Sequence, residues 1–526
     1  MPAQIPFSEP PYLSSLPSPY FTPSHRKWQA AIQPFIQSHL HDRAVEWDVS
    51  GTVPPDVFTT FSQANMIIPA LPAPLPVAWL KKLGIPTLLG GLPVEEFDAL
   101  HGYIFNDEMV RSGLAGPGAS LTTGMAFGVP LILKFGSEEL KERVLPDLLT
   151  GRKRACIAIT EPDAGSDVAG IVTSAVKSAC GKFWVVNGSK KWYVSFSGSL
   201  SPPPSCFILL FFPVFFLFLL SFYPLSSLFP MHSFLKRKSL ILKTRITNGI
   251  WSDYAAMAVR TGPPGSGAAG ISLMVVPLKN HPGVTMRRLS VSGQATGGTT
   301  YIELDDVRVP VENILGEENQ GMRYIMTNFN HERLAVATGT TRQARVALSA
   351  AFEYVLKREA FGKALIEQPV VRHRLAKAGA LLESLTAWVE QFAYMLTKLP
   401  HDKAEALGGP TALLKAQAGM VFKECADTAV LLFGGNGFTK TGQGQLVESE
   451  LWSFSSILCP PSVPQACRVL TAASTVQCFT ARSWALESLV VPRMSCSTLL
   501  SGSWSRSTRR RPRCWRRRED PDCEAV

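Results

Sequence analysis

The stretch Cys156–Gly170, CIAITEPDAGSDVAG, decides how this chain is read. It begins as a short strand and ends as a polar turn. Thr160, Ser166 and Asp167 set two hydroxyls and a capping carboxylate at the strand's end. Gly165 and Gly170 carry no Cβ, so backbone N–H groups there can approach a ligand closely. A strand and turn of purely structural purpose would look the same, and the segment acquires meaning only from its company.

Four other strings supply that company. NGSKKW (Asn187–Trp192) and ITNG (Ile246–Gly249) add an indole and a hydroxyl, suited to packing on and hydrogen-bonding a planar ring. REAFGKAL (Arg358–Leu365) and LFGGNGF (Leu432–Phe438) add a cation and a glycine-rich turn, suited to a pyrophosphate. Each string is weak alone. The pattern around them runs helical, then β, then helical, without internal repeat. In SEELKERVLPDLLTG, Ser137 can cap a helix that Gly151 ends. FWVVNG, YAAMAVRTG, ISLMVVPL and TTYIELDDVRVP read as strands. GMRYIMTNFNHERLAVA places Met322, Ile325, Met326 and Phe329 on one helix face.

At 526 residues and 46% hydrophobic content, the chain can bury several domain cores. Its net charge of +11 invites a nucleic-acid reading, but the charge is localised. Residues 193–245 hold five Lys/Arg and no acid, and residues 449–526 hold eleven Arg against six Asp/Glu, so these two segments carry +10 of it. Seven of the ten cysteines lie there too. The body keeps Cys156, Cys180 and Cys425, no metal-ligand spacing appears, and a reducing compartment is the expectation. The first residues show neither a secretory pattern nor an Arg-rich presequence, and no compartment is assigned.

Taken together and in order, the strings resemble the acyl-CoA dehydrogenase family, over roughly residues 30–448. The resemblance implies an α+β multidomain fold: an all-helical N-terminal domain, a middle β-domain and a C-terminal four-helix bundle. It implies FAD as cofactor, an acyl-CoA substrate, an electron-transfer flavoprotein or oxygen as acceptor, and a homo-oligomer. Cofactor residues implied are Ile157, Ile159, Thr160 and Ser166 along the flavin, Trp192 and Thr247 on its ring system, and Arg358, Phe361, Gly434 and Gly435 at the diphosphate, largely across a subunit interface. Ser166, Phe329 and Arg333 would meet substrate. In the isovaleryl and long-chain branches the catalytic base is a Glu in an ERL string on the first long helix of the bundle. NHERLAVA (Asn330–Ala337) therefore makes Glu332 the candidate base; otherwise it is a surface helix with a Glu–Arg pair. Pro369 and Leu431 stand where the family often has Gln.

Two segments depart from the family. Residues 193–245 separate Trp192 from Ile246, which the family pattern makes neighbours, and are dominated by Phe, Leu, Ser and Pro. Splice-like codons can be written at both edges, and we read the segment as translated intron. A membrane span over 206–223 is the rival; its length is near the lower bound, but Pro213 and the flank SLSPPPS fit poorly. Residues 449–526 read as intron followed by out-of-frame translation, expected to be disordered rather than a nucleic-acid arm. The shifted frame permits a family-like closing helix. The organisation expected is an arm at 1–25, a helical domain at 26–153, a β-domain at 154–315 interrupted by 193–245, a helical domain at 316–448 and the tail. Two other functions stay open: a related flavin oxidase acting on a non-CoA substrate, and a non-catalytic scaffold bound to membrane or nucleic acid.

Overall fold

Apolar residues at helical spacing build the first 150 residues into α1 (Pro23–His39), α2 (Ala44–Ser50), α3 (Pro55–Gln63), α4 (Val77–Lys82), α5 (Ala99–Met109), α6 (Ala115–Thr123), α7 (Val129–Phe135) and α8 (Glu138–Leu149), with one small strand pair, β1 (Thr87–Leu88) and β2 (Leu92–Pro93). The computed structural model describes residues 5–13, 17–190, 246–291, 293–399 and 407–439, all within one compact unit, Met1–Pro460. Ser137 caps α8 as expected, its hydroxyl accepting the Leu140 N–H at 3.2 Å, and Gly151 takes a left-handed φ of 72° just past the helix.

The expected loose arm is tied down where it is described. Arg345, fully buried, donates to the carbonyls of Phe7 and Glu9 and to Glu383; Arg342, also buried, pairs with Asp107 and Glu9. Two buried guanidiniums need many acceptors, and residues 5–13 supply several of them. A second polar knot joins α1 to α5. His25, Asp98 and His101 cluster closely enough to hold a cation, yet their ring nitrogens are already engaged. Nδ1 of His25 accepts the Thr22 N–H at 2.9 Å while its Nε2 donates to Asp98 at 3.0 Å, Nδ1 of His101 donates to the Asp98 carboxylate at 2.8 Å, and Asp98 caps α5 through the N–H groups of Leu100 and His101. The arrangement reads as a helix cap.

The middle of the chain forms an eight-stranded sheet from β3 (Ala155–Ala158), β4 (Ser174–Lys177), β5 (Phe183–Lys190), β6 (Tyr254–Arg260), β7 (Ile271–Pro277), β8 (Val284–Arg288), β9 (Thr300–Pro310) and β10 (Ile314–Leu315). The order is β10-β7-β6-β4-β5-β9-β8, with β3 parallel beside β6. Strands β6 and β7 are apolar almost throughout and buried, as strands covered on both faces must be.

The helical run Ala115–Phe135 is long and apolar enough to cross a membrane, but 67% of its apolar window is buried inside the protein. It is a core helix lying on β3. Between α6 and α7 it opens into a π turn, Gly124–Gly128. A Cβ on Gly124 would run into the Ala155 carbonyl oxygen, and one on Gly128 would come within 2.9 Å of that of Cys156. Only glycine allows this approach.

Three long helices follow: α9 (Gly321–Lys357), α10 (Pro369–Lys398) and α11 (Gly408–Phe433). The order helical, sheet, helical is the one expected; the bundle's fourth helix, the tail and the 206–223 run lie outside the described residues. The face of α9 differs in detail. Ile325 is buried and Met322 and Phe329 pack on the core, but Met326 is 38% exposed and Asn328 is buried in its stead. Asn328 has an acceptor to reach, the Phe127 carbonyl. A hairpin joins α9 to α10 through β11 (Glu359–Ala360) and β12 (Lys363–Ala364).

The sheet also records where the apolar insert enters. Lys190 pairs with Ile302 on β9, and Ile246 bridges Thr300, two positions along the same strand. The segment 191–245 therefore leaves and rejoins one ladder. Joining Trp192 to Ile246 would set Lys191 and Trp192 opposite Tyr301 alone, the count of a β-bulge. A chain lacking residues 193–245 is accordingly expected to fold with a melting temperature no lower than the full chain's. Loss of cooperative unfolding in the shortened chain would contradict this.

Candidate functional site

Strand β3 delivers the signature segment to the sheet's end. Ile157 is half-buried, Ile159 and Thr160 are buried, and Ser166 lies exposed in the following turn. The residues on either side of Thr160 are fixed by a buried ion pair. The Lys190 ammonium donates to Glu161 at 2.7 Å and to the Ile159 carbonyl at 3.0 Å. Glu161 also accepts the N–H groups of Val172 at 2.6 Å and Thr173 at 3.0 Å. Burial works against its ionisation, yet Lys190 and these bonds hold the carboxyl below its ordinary value. Removing either partner would strand a charge in the interior, at a cost of about 3–5 kcal/mol. Lys190 closes β5, so this pair locks the β3 turn to the strand that leads toward Trp192. Trp192 itself lies outside the described residues.

Thr247 follows the Ile246 bridge and is half-buried, with the Gly297 turn packed beside it. The Asn248 N–H donates to the Gly297 carbonyl at 2.9 Å. Near it, three buried polar atoms, Asn248 Oδ1, Thr296 Oγ1 and Thr299 Oγ1, find no partner among the described residues. The spare hydrogen-bonding capacity beside Thr247 suits the edge of a polar planar ring.

On α9, Glu332 is half-buried, but its Oε2 is shielded from solvent and accepts no hydrogen bond among the described residues. Burial pushes its carboxyl up to about 7, against the opposing pull of Arg333 and of Lys415 on α11. An unsatisfied carboxyl titrating near neutrality is what a general base requires. Arg333 lies over the Phe329 ring at 5.8 Å and donates to Asn330 at 3.2 Å, which brings both expected substrate residues to the Glu332 turn.

The remaining expected residues gather elsewhere. Arg358 and Phe361 sit on the β11–β12 hairpin, and Gly434 and Gly435 at the end of α11. Tyr354 joins the two groups, stacking on Phe433 at 4.7 Å between ring centres, while its carbonyl accepts the Arg358 N–H at 2.9 Å. Phe361 is 92% exposed and takes a left-handed φ of 55° at the hairpin tip, and no atom of the described residues lies within 4 Å of where Cβ atoms of Gly434 and Gly435 would point. Arg358 caps the end of α9, 26 residues after Glu332 and about 39 Å farther along the helix axis. Within one chain they do not converge.

Four contributors escaped the sequence reading. Glu161 and Lys190 were visible in TEP and NGSKKW, but nothing local pairs them. Lys415 comes from another helix. His331, next to Glu332, donates from Nε2 to the Ala126 carbonyl at 2.9 Å; its signal was Pro130, four residues beyond Ala126.

Comparison with known proteins agrees with the helical, sheet, helical order of the chain. Residues 80–152 match the family model described as acyl-CoA dehydrogenase, N-terminal domain, and residues 319–451 match acyl-CoA dehydrogenase, C-terminal domain. The chain is 58% identical over 450 residues to the acyl-CoA dehydrogenase apdG of Emericella nidulans, a match spanning 85% of this chain and 90% of that one. It is 26% identical over 424 residues to the mitochondrial long-chain specific acyl-CoA dehydrogenase of Mus musculus, covering 80% and 79%. Among solved structures, an acyl-CoA dehydrogenase from Geobacillus kaustophilus superposes with a TM-score of 0.63 at 26% identity, over 84% of this chain and 96% of its own.

The raised Glu332 carboxyl makes a testable statement about stability. Unfolded, the group titrates near 4.5; folded, near 7. The stability of the neutral buried form is fully present below the first value and lost as pH rises through the second. Glu332→Gln should therefore raise the urea midpoint of the chain more at pH 8.5 than at pH 5. An equal effect at the two pH values would contradict the burial argument.

Proposed function

Because the chain belongs to the acyl-CoA dehydrogenase family, we propose that it catalyses FAD-dependent α,β-dehydrogenation of an acyl-CoA thioester, with Glu332 as the base. The observation that carries the assignment is the shielded Glu332 Oε2, without a hydrogen-bond partner among the described residues, on a carboxyl that burial raises to about 7. Its task is to take the proton α to the thioester carbonyl. Carboxylates in water are too weakly basic for this at neutral pH, and burial corrects that mismatch. Bound FAD would supply the acceptor for the hydride leaving the β-carbon.

The chain's own residues divide the other work. Thr160, Ser166 and Thr247 would hydrogen-bond the flavin, with Ile157 and Ile159 lining it and Trp192 packed against it. The Lys190–Glu161 pair keeps the Thr160 backbone in place without touching the reactants. Phe329 and Arg333 would line the acyl side of the Glu332 turn. The thioester oxygen needs donors as enolate character develops, and Ser166, exposed at the turn, is suited to that side of the site.

Arg358 and Phe361 lie past the far end of α9, and Tyr354 ties them to the Gly434–Gly435 end of α11, too far from Glu332 to serve the same flavin in one chain. We infer that they hold the diphosphate of a second copy's FAD. The bare glycine backbone and the fully exposed Phe361 at the hairpin tip support this, as do the exposed Val370, Leu413, Met420 and Leu431 on α10 and α11. A homo-oligomer follows. The active protein in this reading joins Trp192 directly to Ile246, because an insert at 193–245 would part the ring-packing indole from Thr247.

Glu332→Gln in the chain lacking 193–245 tests the assignment. FAD should stay bound, and acyl-CoA affinity should stay within about tenfold, roughly 1.4 kcal/mol. Anaerobic flavin bleaching on mixing with excess acyl-CoA should slow on the order of 10²–10⁴-fold. Bleaching at the parent rate would place the base elsewhere.

A further inference from the structure

The π turn between α6 and α7 has a cause readable in the sequence. Pro130 has no N–H to offer the carbonyl four residues back, that of Ala126, and its ring crowds that carbonyl. The helix widens over Gly124–Gly128, with the Val129 N–H reaching the Gly124 carbonyl. The Ala126 oxygen is left without its regular helical donor. His331 fills the vacancy: a carbonyl can only accept, so Nε2 carries the proton and donates at 2.9 Å. Three residues earlier, Asn328 Nδ2 donates to the Phe127 carbonyl at 3.1 Å. Phe127 and His331 also meet edge to face at 6.3 Å.

The opposite side of the same turn rests on β3. Gly124 and Gly128 bring its backbone against the carbonyls of Ala155 and Cys156, immediately before Ile157–Thr160. One five-residue turn is thus bonded on one side to the α9 turn that precedes Glu332, and packed on the other against the strand of the signature segment. We infer that this π turn is a rigid spacer that sets the position of Glu332 relative to β3, with Asn328 and His331 as positioning residues. The inference rests on the reading of Glu332 as the base. Burial drives the His331 imidazole down to about 4, so it stays neutral through the pH range in which Glu332 titrates. The clamp does not loosen as the base ionises.

Hydrogen exchange in the full chain and flavin reduction in the flavin-loaded protein test it together. His331→Leu keeps bulk but removes the donor; His331→Gln offers an amide N–H in nearly the same place. Pro130→Ala returns a helical donor to Ala126. In the Leu variant, amides at 124–128 and 328–334 should exchange about tenfold faster or more, while those of 408–433 stay at the parent rate. Flavin bleaching by octanoyl-CoA or palmitoyl-CoA should slow by about 10- to 100-fold, the scale of a misplacement near 1 Å, with substrate affinity held within about threefold. His331→Gln should restore both, and Pro130→Ala should mimic the Leu variant in exchange at 328–334. Parent-like exchange and bleaching in the Leu variant would overturn the proposal, as would a Gln variant that falls as far as Leu. Glu332→Gln run alongside keeps the two claims apart. Parent-like bleaching there removes the base, while the clamp is still judged by exchange.

Discussion

The seating of the Gly124–Gly128 turn on strand β3 is the contact through which the three regions of this molecule meet. The helical N-terminal region, the sheet and α9 are separate products of separate sequence patterns. They meet at this turn, whose backbone lies directly on β3 and whose carbonyls are held by side chains of α9. Any Cβ at Gly124 would push the helix off the strand, and with it the carbonyls that Asn328 and His331 hold. Overpacking of this kind costs about 1–3 kcal/mol, and more where backbone is the obstacle. A site that must align a proton acceptor and a hydride acceptor on two adjacent carbons gains from such a stiff reference.

The same site is expensive to keep. Glu332 sits shielded with an oxygen that no described residue satisfies, and Lys190 and Glu161 are an ion pair in the interior. Neither is favourable as a matter of folding alone. Stability comes from elsewhere: the apolar strands β6 and β7, the helix packing, and the arginine knot that fastens residues 5–13 to α9. Under the proposed function, this cost is the local stability given up for a carboxyl that can take a proton near neutral pH.

Much of this was legible beforehand. Period-two and helical patterns located the strands and helices, because burial on a sheet face or a helix stripe leaves a local record. The Ser137 cap and the Gly151 stop were explicit. Glu332 was visible only through its string, since its environment is built by α9, α11 and the N-terminal region together. The face of α9 was misjudged at Met326 because a buried Asn328, bonded to a distant carbonyl, displaced an apolar residue from the interior. The anchoring of residues 5–13 was hidden for the same reason. Their composition is that of a loose arm, and the two arginines that hold them lie more than 300 residues away in sequence. The insert is the reverse case. Composition marked it at once, and the ladder adds that Lys190 and Ile246 stand two positions apart on one strand partner.

If the Glu332 carboxylate removes the proton next to a thioester carbonyl, the protein must catalyse solvent exchange at that carbon, a reaction that needs the base but not the hydride step. An acyl-CoA incubated in D2O with the flavin-loaded protein, and analysed by mass, should gain deuterium at C2. With Glu332→Gln the gain should fall by on the order of 10²-fold or more. Equal deuterium uptake with the two proteins would rule out Glu332 as the base.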